Sequence, residues 1–133
     1  SQLGKLDKFA AKRRQLAARY DQCLAGLAPQ VKPVKAADHC RPVWHLYAVL
    51  IDFGELSLSR AKVMARLREL GIGTQVHYIP VHTQPYYRHR YGDLNLPGVM
   101  KYYERVLSLP LFPAMTEDDV DRVVTALSET LAA

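Results

Sequence analysis

Apolar residues spaced three and four positions apart predict a helix at each end of the chain. Over residues 2–27 they form one stripe, which Arg13 interrupts, and Gly26 with Pro29 ends this helix. The last helix begins with residues 116–119. They form a variant of the capping box and place acidic side chains in the first turn of the helix. Its apolar stripe consists of Val120, Val123, Val124, Leu127 and Leu131.

Three shorter segments have the composition of β-strands. The clearest is aromatic and β-branched and ends at a turn over residues 52–54. After it, Ser57 or Ser59 caps a helix that Gly71 closes, and residues 102–107 predict a further short helix. The predicted strands are residues 44–51, 75–78 and 107–109.

This order of elements predicts a small α+β fold. We expect a sheet of about three strands with helices mostly on one face. Residues 1–27 form a long connecting helix, and residues 28–133 form the α+β domain, with a linker-like stretch over residues 28–42. At 1.5 Å per residue the helix spans roughly 38 Å, which is more than a domain of this size needs. Its overhanging part is therefore expected to pack on another part of the protein.

The composition places the chain among ordinary globular domains. Of its 133 residues 49% are apolar and 23% charged, which excludes disorder, and no apolar run reaches the roughly 18 to 20 residues of a membrane span. Cys23 and Cys40 are interpreted as reduced thiols, which favours a cytoplasmic protein. No signal peptide is recognisable, and a chain that starts at Ser1 inside a helical pattern suggests part of a longer protein.

The net charge of +5 is concentrated at the N-terminus, where residues 1–42 hold nine Lys or Arg against three Asp. A basic segment can bind nucleic acid or phosphate groups. Single-strand binders, however, place aromatic residues regularly among the cations, and residues 1–42 hold only Phe9 and Tyr20. We therefore interpret it as the solvent-facing side of the long helix and expect neither a nucleic-acid nor a membrane partner.

The segment from His77 to Tyr87 includes the end of the second predicted strand and the loop after it. It carries the densest set of ring-bearing and hydrogen-bonding side chains in the chain. Loops held by a rigid scaffold commonly bind ligands, so we expect a substrate site here. The two histidines of this segment, His77 and His82, are five residues apart. This spacing fits no common zinc pattern, and we expect no metal. No nucleophile motif or phosphate-binding glycine loop is present, so no catalytic residue is predicted. The expected substrate-binding residues are His77, Tyr78, His82, Gln84, Tyr86, Tyr87 and Arg88.

Two interpretations of the aromatic and basic residues in this loop stay open. Tyr86, Tyr87 and Tyr91 can stack on a base or sugar ring, while Arg88 and Arg90 bind phosphate. Alternatively, one or two of the tyrosines fill the domain's own core and the arginines face water.

Five motifs stand out along the chain: residues 45–47 (HLY), 70–78 (LGIGTQVHY), 80–82 (PVH), 103–113 (YERVLSLPLFP) and 116–120 (TEDDV). Together they resemble the C-terminal part of the DegT/DnrJ/StrS-type sugar aminotransferases. These pyridoxal-phosphate enzymes place an amino group on a keto nucleotide-sugar. The loop looks closest to members that act on UDP-linked 4-keto-6-deoxy aminosugars, such as the pseudaminic acid pathway transaminase.

The resemblance implies the small C-terminal domain of a fold-type I pyridoxal-phosphate transferase. It also implies that a large domain outside this chain holds the cofactor through a lysine, so that the chain alone is inactive. The implied partners are a nucleotide-sugar, an amino-acid donor and a second subunit of a homodimer, in polysaccharide or glycan biosynthesis. The alternatives are a free-standing α+β module for ligand binding or dimerisation and a basic nucleic-acid binder.

Overall fold

The computed structural model describes residues 3–133, which form an α+β fold of five α-helices and a three-stranded sheet. The predicted fold class and the long N-terminal helix are confirmed. The helices are α1 (Leu6–Leu24), α2 (Arg60–Glu69), α3 (Pro85–Tyr91), α4 (Pro97–Arg105) and α5 (Glu117–Ala132). The strands are β1 (Val31–Pro33), β2 (Tyr47–Ile51) and β3 (Val106–Leu109).

The sheet is antiparallel throughout, with β2 between β1 and β3. Tyr47, Val49 and Ile51 alternate with less buried neighbours along β2, so they occupy one face of the sheet. That face meets apolar residues of α1, α2 and α5 in a single core. The side chains contributed by these three helices include Leu16, Tyr20, Leu24, Val63, Leu67, Val120, Val124 and Leu127.

The membership of the sheet differs from the prediction in two strands. Val31–Pro33, placed in the linker-like stretch, forms the edge strand β1, where a proline is tolerated because one side of the strand makes no ladder bonds. The predicted strand over residues 75–78 is wrong, since only Gln75 pairs with the sheet, as an isolated bridge to Ser108. The chain leaves the sheet after this residue and forms the candidate site.

The helices at the predicted caps are confirmed. Ser59 accepts a hydrogen bond from the Lys62 N–H at 3.2 Å and begins α2, and Thr116 and Asp119 form both halves of the capping box of α5. The prediction that the loop continues through Tyr87 is wrong, because Pro85–Tyr91 form α3.

The boundaries of the other helices need smaller corrections. The helix predicted over residues 102–107 is α4, which starts earlier, at Pro97, and ends at Arg105 because the next residues enter β3. The first helix is predicted over residues 2–27, of which residue 2 lies outside the described residues. In the structure α1 begins at Leu6, after a 3-10 turn over Leu3–Lys5, and ends at Leu24, where a second short 3-10 turn follows.

The two halves of α1 have different surroundings. Leu16, Tyr20 and Leu24 in its second half are buried in the core. Leu3 and Leu6 at the N-terminal end are 82% and 52% exposed. This part of the helix extends beyond the core, as its length predicted, and the division into a connecting helix and a domain stays a prediction.

Two further observations concern the cysteines and the helices of the described residues. Cys23 and Cys40 are free thiols. Across residues 3–133, no helix combines the length and the apolar character that crossing a bilayer requires.

Candidate functional site

The turn after α2 aims the candidate site at the edge of the sheet. Gly71 adopts a φ of 77°, a conformation that favours glycine, and so ends the helix. Ile72 is buried directly after it and anchors the chain to the core. Gln75 then exchanges both backbone hydrogen bonds with Ser108 of β3, at 3.2 and 2.8 Å. The residues that follow are therefore attached to the most buried strand of the sheet.

His77 and Tyr78 form the first part of the site. The Nδ1 atom of the half-buried His77 lies 2.9 Å from the hydroxyl of Ser108. The ring of Tyr78 meets the imidazole edge to face, with centroids 4.7 Å apart. Tyr78 is 73% exposed, so its ring projects from the surface next to a fixed imidazole.

A short 3-10 turn over Val81–Thr83 carries the second histidine. Pro80 is buried beneath the turn, and its carbonyl accepts hydrogen bonds from the hydroxyl of Thr83 at 2.7 Å and from the backbone N–H of the same residue. His82 and Gln84 are both half-exposed on this constrained turn. The Gln84 side chain does not cap α3, although the residue occupies the N-cap position.

The tyrosines of α3 lie on the surface. Tyr86, Tyr87 and Tyr91 are 62%, 40% and 59% exposed, so the interpretation that they fill the core is wrong. The rings of Tyr86 and Tyr87 are perpendicular at 5.2 Å, and those of Tyr87 and Tyr91 are nearly parallel at 6.4 Å. Arg90 donates a hydrogen bond to the Tyr86 hydroxyl at 3.0 Å, which orders the outer ring.

Arg88 has a carboxylate partner on the protein surface. Its Nε donates to Asp93 at 2.6 Å, and this hydrogen bond raises the pKa of Arg88 and lowers the pKa of Asp93. Both side chains are more than half exposed, so water weakens the ion pair. A phosphate group that binds Arg88 has to compete with Asp93, and the role of Arg88 at the site stays a prediction.

The predicted residues form an open surface, which we call the 77–91 segment. His77 and Tyr78 lie beside β3, His82 and Gln84 lie on the turn, and the tyrosines follow on α3. None of the seven predicted residues lines the cavities of about 440 and 470 Å³ that both border Ile72 and Gly73. Among residues 3–133 no group of His, Cys, Asp and Glu side chains is arranged to hold a metal ion. The surface can supply rings and hydrogen-bonding groups to a ligand but does not enclose one.

The lysines of the chain do not fit the anchor of pyridoxal phosphate. A lysine that attacks the cofactor's carbonyl must be desolvated enough to react as the free amine. Lys12 is half-buried on α1, and the other lysines are exposed. These are Lys5, Lys8, Lys32, Lys35, Lys62 and Lys101.

Ser108 belongs to the site although the sequence pattern did not single it out. It is 4% exposed in β3, and its hydroxyl contacts His77. A serine between two leucines in a fully buried strand is the signal that predicts such a contact, because a buried hydroxyl needs a hydrogen-bond partner.

Comparison with known families matches residues 1–128 of the chain to the DegT/DnrJ/EryC1/StrS aminotransferase family. The chain belongs to this family. The match includes the whole 77–91 segment and every strand of the sheet, so the predicted family resemblance is confirmed.

Solved aminotransferases share the fold of this chain. DesV of S. venezuelae, solved in complex with a ketimine intermediate, is 33% identical with a TM-score of 0.85, and the match covers 98% of this chain and 34% of DesV. DesI, solved in the presence of its TDP-sugar product, is 28% identical with a TM-score of 0.87, over 97% of this chain and 33% of DesI. Helicobacter pylori PseC, an aminotransferase involved in the biosynthesis of pseudoaminic acid, is 23% identical with a TM-score of 0.89. This match covers 99% of the present chain and 35% of PseC.

These similarities show how much of an aminotransferase the chain represents. It spans about a third of the length of the structures it matches. At 23% identity PseC shows the shared fold only, and the likeness of the loop to the pseudaminic acid subgroup stays a prediction.

Proposed function

We propose that the chain is the C-terminal domain of a pyridoxal-phosphate-dependent aminotransferase that aminates a keto nucleotide-sugar. Within that enzyme the 77–91 segment forms one wall of the substrate cleft. The family match over residues 1–128 carries the proposal. The exposure of the segment supports it, because rings left on a surface beside a buried anchor are available to a ligand.

The chemistry of the segment suits a nucleotide-sugar. Exposed tyrosine rings offer faces for a base or sugar to stack on, and the imidazoles of His77 and His82 offer hydrogen bonds to hydroxyl or phosphate oxygens. DesI, which shares the fold, has been solved with a TDP-sugar product. We propose the same class of substrate here.

The cofactor is assigned to the part of the enzyme outside this chain. Pyridoxal phosphate supplies an electron sink for amino-group transfer when it is bound. The exposed lysines of this chain do not provide its anchor, so we propose that the chain by itself neither holds the cofactor tightly nor transfers amino groups. The intact enzyme is proposed to use an amino-acid donor, to form a cytoplasmic homodimer and to serve polysaccharide or glycan biosynthesis.

Replacement of His82 by alanine in the intact enzyme tests the assignment of the wall. The KM for the keto nucleotide-sugar should rise about tenfold, which corresponds to roughly 1.4 kcal/mol of lost binding. Occupancy by pyridoxal phosphate should stay unchanged, because His82 lies on a wall that does not hold the cofactor. Steady-state kinetics and the absorbance of bound cofactor measure the two quantities.

The matched control is His39→Ala, which removes an exposed histidine far along the chain from the 77–91 segment. This variant should keep the wild-type KM. Loss of cofactor from His82→Ala, or an unchanged KM in it, would contradict the proposed position of the wall.

A further inference from the structure

Ser108 contacts the site through both its backbone and its side chain. Its N–H and C=O both bond to Gln75, while its hydroxyl lies 2.9 Å from Nδ1 of His77. Ser108 is itself fixed, because all four residues of β3 are buried and its Cα pairs with Ala48 on the central strand. The imidazole is therefore connected to the centre of the sheet through one residue.

The contact determines which ring nitrogen of His77 can meet a ligand. A neutral imidazole has one N–H donor and one acceptor nitrogen, and the partner of one nitrogen decides where the proton resides. The buried hydroxyl of Ser108 needs an acceptor for its proton, and Nδ1 is within hydrogen-bonding distance. With Nδ1 accepting this bond, the proton lies on Nε2, the remaining nitrogen.

We propose that Ser108 is a positioning residue that holds His77 as the Nε2–H tautomer, so that Nε2 donates a hydrogen bond to an oxygen of the substrate. The substrate group is a hydroxyl or a phosphate oxygen, since both accept hydrogen bonds and neither requires an ionised imidazole. This inference rests on the proposed function for the identity of the ligand. The orientation of His77 follows from the contact with Ser108, and its tautomer is inferred from the need of the buried Ser108 hydroxyl for an acceptor.

The edge-to-face contact with Tyr78 fits the same role. Its ring lies against the imidazole at 82° to it, on a side chain that is 73% exposed. His77 is thus held by a hydrogen bond from the sheet and by an aromatic contact from its neighbour. A ring restrained in this way loses little conformational freedom when a ligand binds.

Nitrogen-15 NMR of the histidine-labelled chain tests the tautomer directly. The spectra are recorded at about pH 8.5, two units above the ordinary pKa of histidine in model peptides. His77, assigned with a His77→Gln variant, should show the proton predominantly on Nε2. In Ser108→Ala the Nε2–H fraction of His77 should fall to that of free neutral histidine in the same buffer, and Ser108→Thr, which keeps the hydroxyl, should restore the wild-type spectrum.

The matched control is Thr130→Ala, which removes another buried hydroxyl, one that donates to the carbonyl of Ala126 at 2.7 Å on α5. This variant should lose stability without any change in the His77 spectrum. A dominant Nδ1–H tautomer in the wild type, or the same spectrum in Ser108→Ala, would overturn the proposal.

Kinetics of the intact enzyme test the consequence for the substrate. Ser108→Ala should raise the KM for the nucleotide-sugar about tenfold, with a smaller effect on kcat and with full cofactor occupancy. A wild-type enzyme that shows the Nε2–H tautomer but aminates no nucleotide-sugar would refute the proposed function and leave the positioning role standing. Normal activity together with unaltered kinetics in Ser108→Ala would refute the role of Ser108 alone.

Discussion

Two stacked tyrosines tie the long helix to the central strand. The rings of Tyr20 and Tyr47 lie 4.5 Å apart, and both side chains are almost fully buried. Each hydroxyl has a partner, since Tyr20 donates to the carbonyl of Pro110 and Tyr47 to the carboxylate of Asp21. Burial raises the pKa of both phenols, and for Tyr47 the hydrogen bond to Asp21 raises it further.

These raised pKa values predict that the fold loses stability in alkali. In the unfolded chain a tyrosine ionises near its ordinary pKa of 10.0, whereas in the folded chain it keeps its proton to higher pH. The stabilisation is therefore complete below pH 10 and declines as the pH rises above it. Urea unfolding between about pH 8 and pH 11 should show this decline.

Tyr47→Phe should make the decline shallower, because one of the two phenols no longer ionises on unfolding. Tyr91→Phe, at a 59% exposed position, is the control and should follow the wild-type curve. Equal pH dependence in Tyr47→Phe and the wild type would show that burial of this phenol does not govern alkaline stability.

At the scale of the element, local signals decide where helices begin. Thr116 accepts a hydrogen bond from the Asp119 N–H at 3.2 Å, and the Asp119 carboxylate accepts one from the Thr116 N–H at 2.8 Å. The helix that follows packs Val120 and Leu127, both fully buried, against the core. Because the cap and the apolar spacing lie in one short stretch, the sequence predicts α5 almost completely.

Removal of the cap should have a measurable cost. Thr116→Ala should lower the free energy of unfolding by about 1 kcal/mol, because the first turn of α5 loses a hydrogen-bond acceptor. Thr125→Ala, on the exposed side of the same helix, is the control and should change it by less than about 0.5 kcal/mol. A chemical denaturation series measures both, and equal losses in the two variants would contradict the role of the cap.

Elements that depend on distant partners were predicted less well. Val31–Pro33 becomes a strand only because β2 lies beside it, and its own three residues with a proline carry a weak signal. Residues 75–78 have strand composition, but only Gln75 finds a partner, on β3. The sequence does contain a local signal for α3. Pro85 occupies its first turn, and Gly92 follows its end with a φ of 74°.

The candidate site, too, could be predicted from the sequence only in part. Its residue types are concentrated in one segment, so the segment could be predicted from the sequence alone. Its arrangement could not, because Ser108 reaches His77 across 31 positions of the chain. Whether the tyrosines filled the core or faced outward also depended on how α3 packs, which no local pattern specifies.

At the scale of the whole molecule, the 77–91 segment and the N-terminal end of α1 both leave large apolar or aromatic side chains exposed. Leu6 is 52% exposed at one of them, and Tyr78 is 73% exposed at the other. The chain spans about a third of each aminotransferase structure it matches. Both surfaces are therefore suited to pack against, or to face, the rest of an enzyme.

The central claim is that this domain contributes a substrate wall and no cofactor anchor. Titration of the 133-residue chain with pyridoxal phosphate, followed by absorbance, tests it most directly. We predict only weak, non-saturating changes, typical of exposed lysines. A saturable change at one cofactor per chain, lost when the half-buried Lys12 is replaced by arginine, would contradict the claim.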